Sequence, residues 1–426
     1  MPGHRPVTGR TAQPVALPSY VPGPRLRHRA RCGPASRPEH PVDSASSLRT
    51  PTAGALDFLP TRRVEWGLGS IGRLGDLLDS YSVSRVLLMT TRSLSEQGSL
   101  LRTVEDNCGG RCAGRVEHLP AHVPSDAVER AAATARELGA DALVSFGGGS
   151  VIDATKAVAA RLADDDGRQL PHFAVPTTLS GAEFADHYGV TEFHDGAATK
   201  RTHTREDVTP VAVVLDGALT AATPGPLWAG SGAKALDHAV EGLICNPPRP
   251  VLDDLAQLGI RELAGVLRQS MDPGEPTIRQ ACQLAAWYCY FAPASLTLGL
   301  SHRIGHVLGG TYGVPHSLTS GITLPAVVRA MTQTSPLRLK LVARALDTGG
   351  PLDLPAMATD EPAEAAVRLS SLVTSVGLPT RMREIGIDRN EVPAIALRVQ
   401  QLYPEAIARL GTDSTASLRR LLEEAW

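Results

Sequence analysis

The chain has few aromatic residues, little unbalanced charge and no long apolar run, and each shortage excludes a class of protein. Phe, Trp and Tyr make up only 4% of the 426 residues. Alanine, valine, leucine and glycine carry the apolar share instead, which suits α/β or all-helical packing better than a β-sandwich. With 42 Lys and Arg set against 44 Asp and Glu, the formal net charge is -2. No basic stripe occurs beyond the N-terminal tail, which argues against nucleic acid as a partner. No segment reaches the roughly 18 consecutive apolar residues that a spanning helix needs, so no membrane partner is expected. The six cysteines, Cys32, Cys108, Cys112, Cys245, Cys282 and Cys289, are scattered as in a reducing compartment. Cys108 and Cys112 form a C-x3-C pair, but no second ligand pair accompanies them for zinc. A cytoplasmic location is expected.

A chain this long exceeds the usual ceiling for one hydrophobic core, so two domains are expected. Residues 1–52 are rich in Pro, Arg, Ser and Gly, with no apolar period. Such a segment buries too little surface to offset its ordering entropy and reads as a disordered extension. Its Arg-rich, acid-poor composition also permits a transit peptide, although Pro24, Pro34, Pro38 and Pro41 argue against an amphipathic helix. Residues 53–217 alternate short apolar runs with helical spacing. Arg63–Gly67, Arg85–Met89, Ala142–Phe146, Phe173–Val175 and Val211–Leu215 read as strands, and Ile71–Ser80, Ala127–Leu138 and Val151–Arg161 as helices. This predicts an α/β nucleotide-binding domain with a parallel sheet. Residues 218–426 read as an all-α domain.

Gly147-Gly148-Gly149-Ser150 stands where a strand ends and a helix begins. Three glycines let backbone approach a ligand closely, and the amides at the helix start favour an anion. Ser150 is read as the helix N-cap with Asp153 at the third helical position. Pro176-Thr177-Thr178 follows the next strand and adds hydroxyls at the same sheet edge, although it also reads as an ordinary capped turn. The G-x-G-x-x-G fingerprint is absent. After Met89, Thr90-Thr91-Arg92 offers no acidic partner for a ribose hydroxyl. That permits NADP, with Arg92 near the phosphate, without excluding NAD.

In the helical half, His302 and His306 stand one turn apart, and His316 follows a Gly-rich stretch. Lys234 and His238 repeat the one-turn spacing on another helix. A single helical histidine is more often structural or solvated, but pairs at i and i+4 can converge on one point.

Taken together, these segments resemble the iron-type alcohol dehydrogenases, a superfamily that includes the maleylacetate reductases. The resemblance rests on Gly147–Ser150 with Asp153 and Lys156, and on Pro176 to Glu183. It rests also on His122-Val123-Pro124, on Tyr188-Gly189-Val190-Thr191, and on His302-x3-His306-x9-His316. It implies the dehydroquinate synthase-like fold, with NAD(P)H across the Gly-rich turn and a homodimer. The implied cofactor contacts are Thr90, Thr91, Gly147, Gly148, Gly149, Ser150, Asp153, Thr177 and Thr178.

The resemblance also implies a divalent iron or zinc ion held by one Asp and three His. The histidines fall on His238, His302 and His316, with His306 as a proton relay, but the Asp position falls on Lys234. An ammonium about 4 Å from a divalent ion costs on the order of 8 kcal/mol at an effective dielectric of 20. No catalytic metal is therefore expected. Asp237 is read as lying on a different helical face from Lys234 and His238, and so as no substitute.

Three roles are open to Lys234. It could be a cation that holds a substrate carboxylate or polarises a carbonyl, a Schiff-base amine, or a side chain that snorkels to solvent. The expected activity is NAD(P)H-dependent reduction of a carbonyl or enone in a small acid, at Lys234, His238, His302, His306 and His316. A lyase or dehydratase acting through Lys234, and a catalytically silent homologue, are the rival readings.

Overall fold

Four segments of the N-terminal half are buried on both sides of the pleat, and such strands persist only when helices cover both faces of a sheet. The computed structural model describes residues 54–120, 123–194, 197–347 and 361–426. The expectations for residues 1–52 and for His122 lie outside these. Strands β1 (Arg63–Trp66), β2 (Val86–Met89), β3 (Cys112–Val116), β4 (Ala142–Gly147) and β5 (His172–Pro176) come in chain order. A hairpin of β6 (His187–His194) and β7 (Ala197–Thr204) follows, and then β8 (Ala212–Leu215). The main sheet is parallel throughout, in the order β1-β8-β5-β4-β2-β3.

Alternation along β2 shows how the layers form. Leu87 and Met89 join one core with helices α3 (Ser125–Glu137) and α4 (Gly149–Asp166). Val86 and Leu88 join another with α1 (Leu74–Ser80) and α2 (Gly98–Asn107). All four residues are fully buried, each contributing roughly 2 kcal/mol by removal from water.

The chain leaves β2 towards β3 on one side and returns to β4 on the other. The carboxyl ends of β2 and β4 therefore flank the point where the strand order reverses, where open α/β sheets bind ligands.

The parallel sheet is as the sequence predicted, but β3 and the hairpin were not anticipated. Strand β3 is a short edge strand, partly exposed, whose CAGRV lacks an apolar run. The hairpin carries charged and polar residues on both strands, so it shows no period-two signal.

From Gly217 onward the described residues hold helices and turns but no strand. The longer helices are α5 (Gly225–Ile244), α6 (Pro250–Val266), α7 (Pro276–Cys289), α8 (Leu300–Tyr312), α9 (His316–Ala330), α10 (Pro336–Ala345), α11 (Glu364–Ser375), α12 (Val392–Leu402) and α13 (Ser414–Ala425). Helix α5 is apolar nearly all round and runs through the middle of this core. Its Gly230 lies against the backbone of Ser317, where an added Cβ would stand 2.1 Å from the carbonyl oxygen. That close approach brings the start of α9 against α5.

Candidate active site

The Gly-rich turn joins β4 to α4, but its cap differs from the expectation. Gly148, not Ser150, is the N-cap, and no side chain bonds the first turn. Ser150 lies inside the helix and faces solvent. Asp153 accepts from the Gly189 amide at 3.3 Å and so ties α4 to the hairpin. The first amides of an 18-residue helix are thus left without a side-chain acceptor, at the pole that favours anions.

Glycine is required here by space. A Cβ on Gly148 would stand 2.9 Å from Thr178 Cγ2, and one on Gly149 would stand 2.9 Å from Ser180 Oγ. The turn therefore packs directly on the loop that follows β5. Thr177 and Thr178 are both buried in that loop. Just after β2 the Thr90 hydroxyl donates to the Phe146 carbonyl at 2.8 Å and is fully buried, so Thr90 braces the sheet edge. Thr91 caps the short helix Arg92–Ser95.

Lys156, one turn beyond Asp153 on α4, anchors the same loop from beneath. Its buried ammonium donates to the carbonyls of Ala182, Ala185 and His187 at 2.6, 2.7 and 3.1 Å. Burial lowers its pKa, and Asp153, Glu183 and Asp186 oppose that shift.

Across this loop lies Tyr290, just after α7. A Cβ on Gly181 would stand 2.9 Å from its ring. Tyr290 stacks on His238 with centroids 3.9 Å apart, and His238 stacks on His302 at 5.0 Å. The Gly-rich turn, the loop, Tyr290 and the histidines are therefore one continuous set of contacts. Sequence reasoning passed over Tyr290, because an aromatic residue at the end of a helix reads as core.

Helix α5 presents Lys234, Asp237, His238 and Glu241 at i, i+3, i+4 and i+7, which is one helical stripe. The expectation that Asp237 lies on another face is wrong. Three residues turn a helix through about 300°, which returns Asp237 to within about 60° of Lys234. Asp237 Oδ2 stands 3.6 Å from Lys234 Nζ, 3.2 Å from His302 Nδ1 and 2.7 Å from Ser320 Oγ. Burial works against the Asp237 carboxylate, but His302 and Lys234 hold its pKa well below the usual range. Burial lowers the pKa of Lys234, opposed by Asp237 and Glu241.

Glu241 was also missed. Its carboxylate accepts from the amides of Gly299 at 2.7 Å, Ser301 at 2.6 Å and His302 at 3.4 Å, and so caps α8 from within the core. It also accepts from His302 Nδ1 at 2.6 Å. Burial opposes the charged form of His302, yet Asp237 and Glu241 prevail and raise its pKa. His238 moves the other way, lowered by burial and then by the charges of His302 and Lys234. His306 lies edge-on to His316, with centroids 5.6 Å apart. Enclosure, then the charges of Lys234, His316, His302 and Arg303, push its pKa down to about 2, although its ring reaches solvent. The structure thus gathers the five predicted residues beside the middle of α5.

Donor chemistry tests whether this set fits a divalent ion. Asp237, Glu241 and His302 offer ligand atoms within 4.8 Å of one another. Glu241, however, is spent on three backbone amides and an imidazole, and Asp237 on an ammonium, an imidazole and a hydroxyl. His238 Nδ1 and His302 Nε2 are buried without partners, but the positive charge of Lys234 bears on both rings. A cation among the imidazoles is a poor host for a second cation.

A doubly flanked parallel sheet with a Gly-rich turn at its switch point, joined to a helical region bearing the histidines, defines a class. Residues 60–217 match the iron-containing alcohol dehydrogenase family, and residues 228–408 match the Fe-containing alcohol dehydrogenase family, C-terminal. The chain belongs to the iron-containing alcohol dehydrogenase family. The maleylacetate reductase of Pseudomonas sp. (strain P51) is 34% identical over 346 residues, 81% of this chain and 91% of that protein. The crystal structure of maleylacetate reductase from Rhizobium sp. strain MTP-10005 superposes with a TM-score of 0.75 at 25% identity, over 87% of this chain and 97% of that one. An iron-containing alcohol dehydrogenase from Corynebacterium glutamicum gives 0.75 at 27% identity, over 88% and 96%. This chain is an NAD(P)-dependent oxidoreductase of the maleylacetate reductase branch. No described helix is long and apolar enough to cross a membrane.

Proposed function

We propose that the protein reduces a carbonyl or enone of a small carboxylated substrate without a catalytic metal, using Lys234 as the fixed cation of the site. The observation that carries this reading is the Lys234–Asp237 pair at 3.6 Å on the helical stripe that also bears His238. Asp237 is held by Ser320 and His302, so it fixes the ammonium in place and favours its charged form.

The uncapped start of α4 and the glycines before it suit a pyrophosphate, and the loop after β5 borders that position. When bound there, NAD(P)H supplies the hydride. Lys234 stabilises the negative charge that develops on the substrate oxygen, a role whose removal typically costs 10²–10³ in rate. His302, locked at Nδ1 by Glu241, turns Nε2 away from that carboxylate and orients what lies beside it. Its neighbour His238 is kept neutral and is packed by Tyr290. His306 is neutral and reaches solvent, so it relays a proton from water to the reduced oxygen instead of storing one. We further propose that the protein is a homodimer.

The covalent reading keeps one observation in its favour, since burial lowers the pKa of Lys234 towards that of a nucleophilic amine. Borohydride trapping with substrate, read by mass at Lys234, separates the two.

The direct test is steady-state oxidation of NADH and NADPH with maleylacetate as the probe substrate. Lys234→Met is expected to lower kcat by about 100-fold, with nucleotide affinity by fluorescence titration within about twofold of the parent. Lys234→Arg recovers part of the rate. Wild-type rates retained by Lys234→Met would overturn the assignment.

A further inference from the structure

Several partly exposed arginines of this fold are held by carboxylates. Arg338 is held by both oxygens of Asp253, Arg205 by Asp164 and Asp207, and Arg136 by Asp165 and Asp166. Arg303 has none. Its Nε is buried without a hydrogen-bond partner, and among the described residues no carboxylate pairs with its guanidinium.

Arg303 is nevertheless well positioned. It stands one turn before His306 on α8, and its guanidinium lies 5.1 Å over the ring of Tyr403. The same ring lies 6.4 Å from His306, which is edge-on to His316. Arg303, Tyr403, His306 and His316 therefore form one partly open surface, with Lys234 close enough to act on His306 from α5. Two cations differ sharply within it. Lys234 is matched by Asp237, whereas the planar fork of Arg303, backed by an aromatic ring, presents donors with no acceptor. That geometry suits a carboxylate taken in two parallel hydrogen bonds.

We propose that Arg303 is the specificity-determining residue of the site, the anchor for a substrate carboxylate set apart from the reacting carbonyl. The inference rests on the reductase reading above for the identity of the reacting end. The preferred substrate is then an oxo acid whose carbonyl lies at Lys234 and His306 while its far carboxylate lies on Arg303. A neutral ketone fills only the first position and gains nothing from the second.

The experiment compares the parent with Arg303→Gln and Arg303→Lys, after circular dichroism and thermal melts confirm that each is folded. Kinetics use maleylacetate and its monoester, in which the far carboxylate is masked. Binding uses adipate, a six-carbon dicarboxylate that cannot be reduced, measured by calorimetry. Arg303→Gln is expected to raise KM for maleylacetate by about 30-fold, with kcat within about threefold. The monoester should already show the high KM and be insensitive to the substitution. Adipate binding should weaken about tenfold or more in Arg303→Gln and recover in part in Arg303→Lys.

Equal KM values for maleylacetate in parent and Arg303→Gln would overturn the anchor while leaving the reductase reading in place. Arg303-dependent adipate binding without any NAD(P)H oxidation would leave the anchor and sink the reductase reading. A fall in kcat alone, equal for maleylacetate and its monoester, also overturns the anchor, because a positioning effect does not distinguish the two substrates.

Discussion

At Lys234 and Asp237 two opposite charges share a space from which water is largely excluded, and each limits what the other can do. Asp237 is fully buried and one of its oxygens, Oδ1, has no hydrogen-bond partner, so the carboxylate is tolerable only through its contacts with Lys234, His302 and Ser320. Removing its charge strands an ammonium and an imidazole together. Breaking a buried pair in this way typically costs 3–5 kcal/mol. Asp237→Asn is therefore expected to lower the unfolding free energy by about 3 kcal/mol in denaturant titrations. The double variant Lys234→Met/Asp237→Asn should lose less than the sum of the single changes, because the stranded cation is gone. Strict additivity would show that the pair is not an interacting unit.

Among the elements, helix α4 and the loop beyond β5 act together. Lys156 is spent on two carbonyls of that loop and one at the start of β6, and the glycines of the turn let the loop press against the helix start. Lys156→Met leaves those carbonyls without a donor in a buried place, at about 1–3 kcal/mol for each group that finds no substitute. The expected outcome is a melting temperature lower by several degrees together with a raised KM for NAD(P)H, read by calorimetry and kinetics. Lost stability with an unchanged cofactor KM would separate the loop from nucleotide binding.

This loop also shows what sequence could and could not disclose. The strand-turn-helix around Gly147–Ser150 was legible because an apolar run, glycines and helical spacing meet there. Its cap was not, because Ser150 is a good capping residue by type and only the backbone places Gly148 at that position. Lys234, His238, His302, His306 and His316 were legible as spacing. Asp237 and Glu241 stood on the same stripe at i+3 and i+7 and were still missed. Asp237 was rejected on a face argument that one turn of geometry corrects. Glu241 reads as an ordinary acidic residue until Gly299 and Ser301 are brought to it from 58 and 60 residues away. Tyr290 and Arg303 carry no local signal at all, since a stacked ring and an unpaired guanidinium are facts of the tertiary fold.

For the whole molecule, the described residues belong to one compact unit, Leu48–Trp426. Within it, a path of direct contacts runs from the sheet's switch point through Ser180, Gly181 and Tyr290 to His238 and His302. The Gly-rich turn and the histidines are thus set at opposite ends of one packed assembly. The family's name carries iron, and its second half is here built around a lysine. Whether activity depends on a bound ion therefore decides whether Lys234 has taken the metal's place. The measurement is NAD(P)H oxidation with maleylacetate by protein stripped with chelator, with metal content determined by mass spectrometry on the same samples. The expected result is an unchanged rate with far less than one ion per chain. A rate that vanishes on stripping and returns in proportion to added iron or zinc would contradict it.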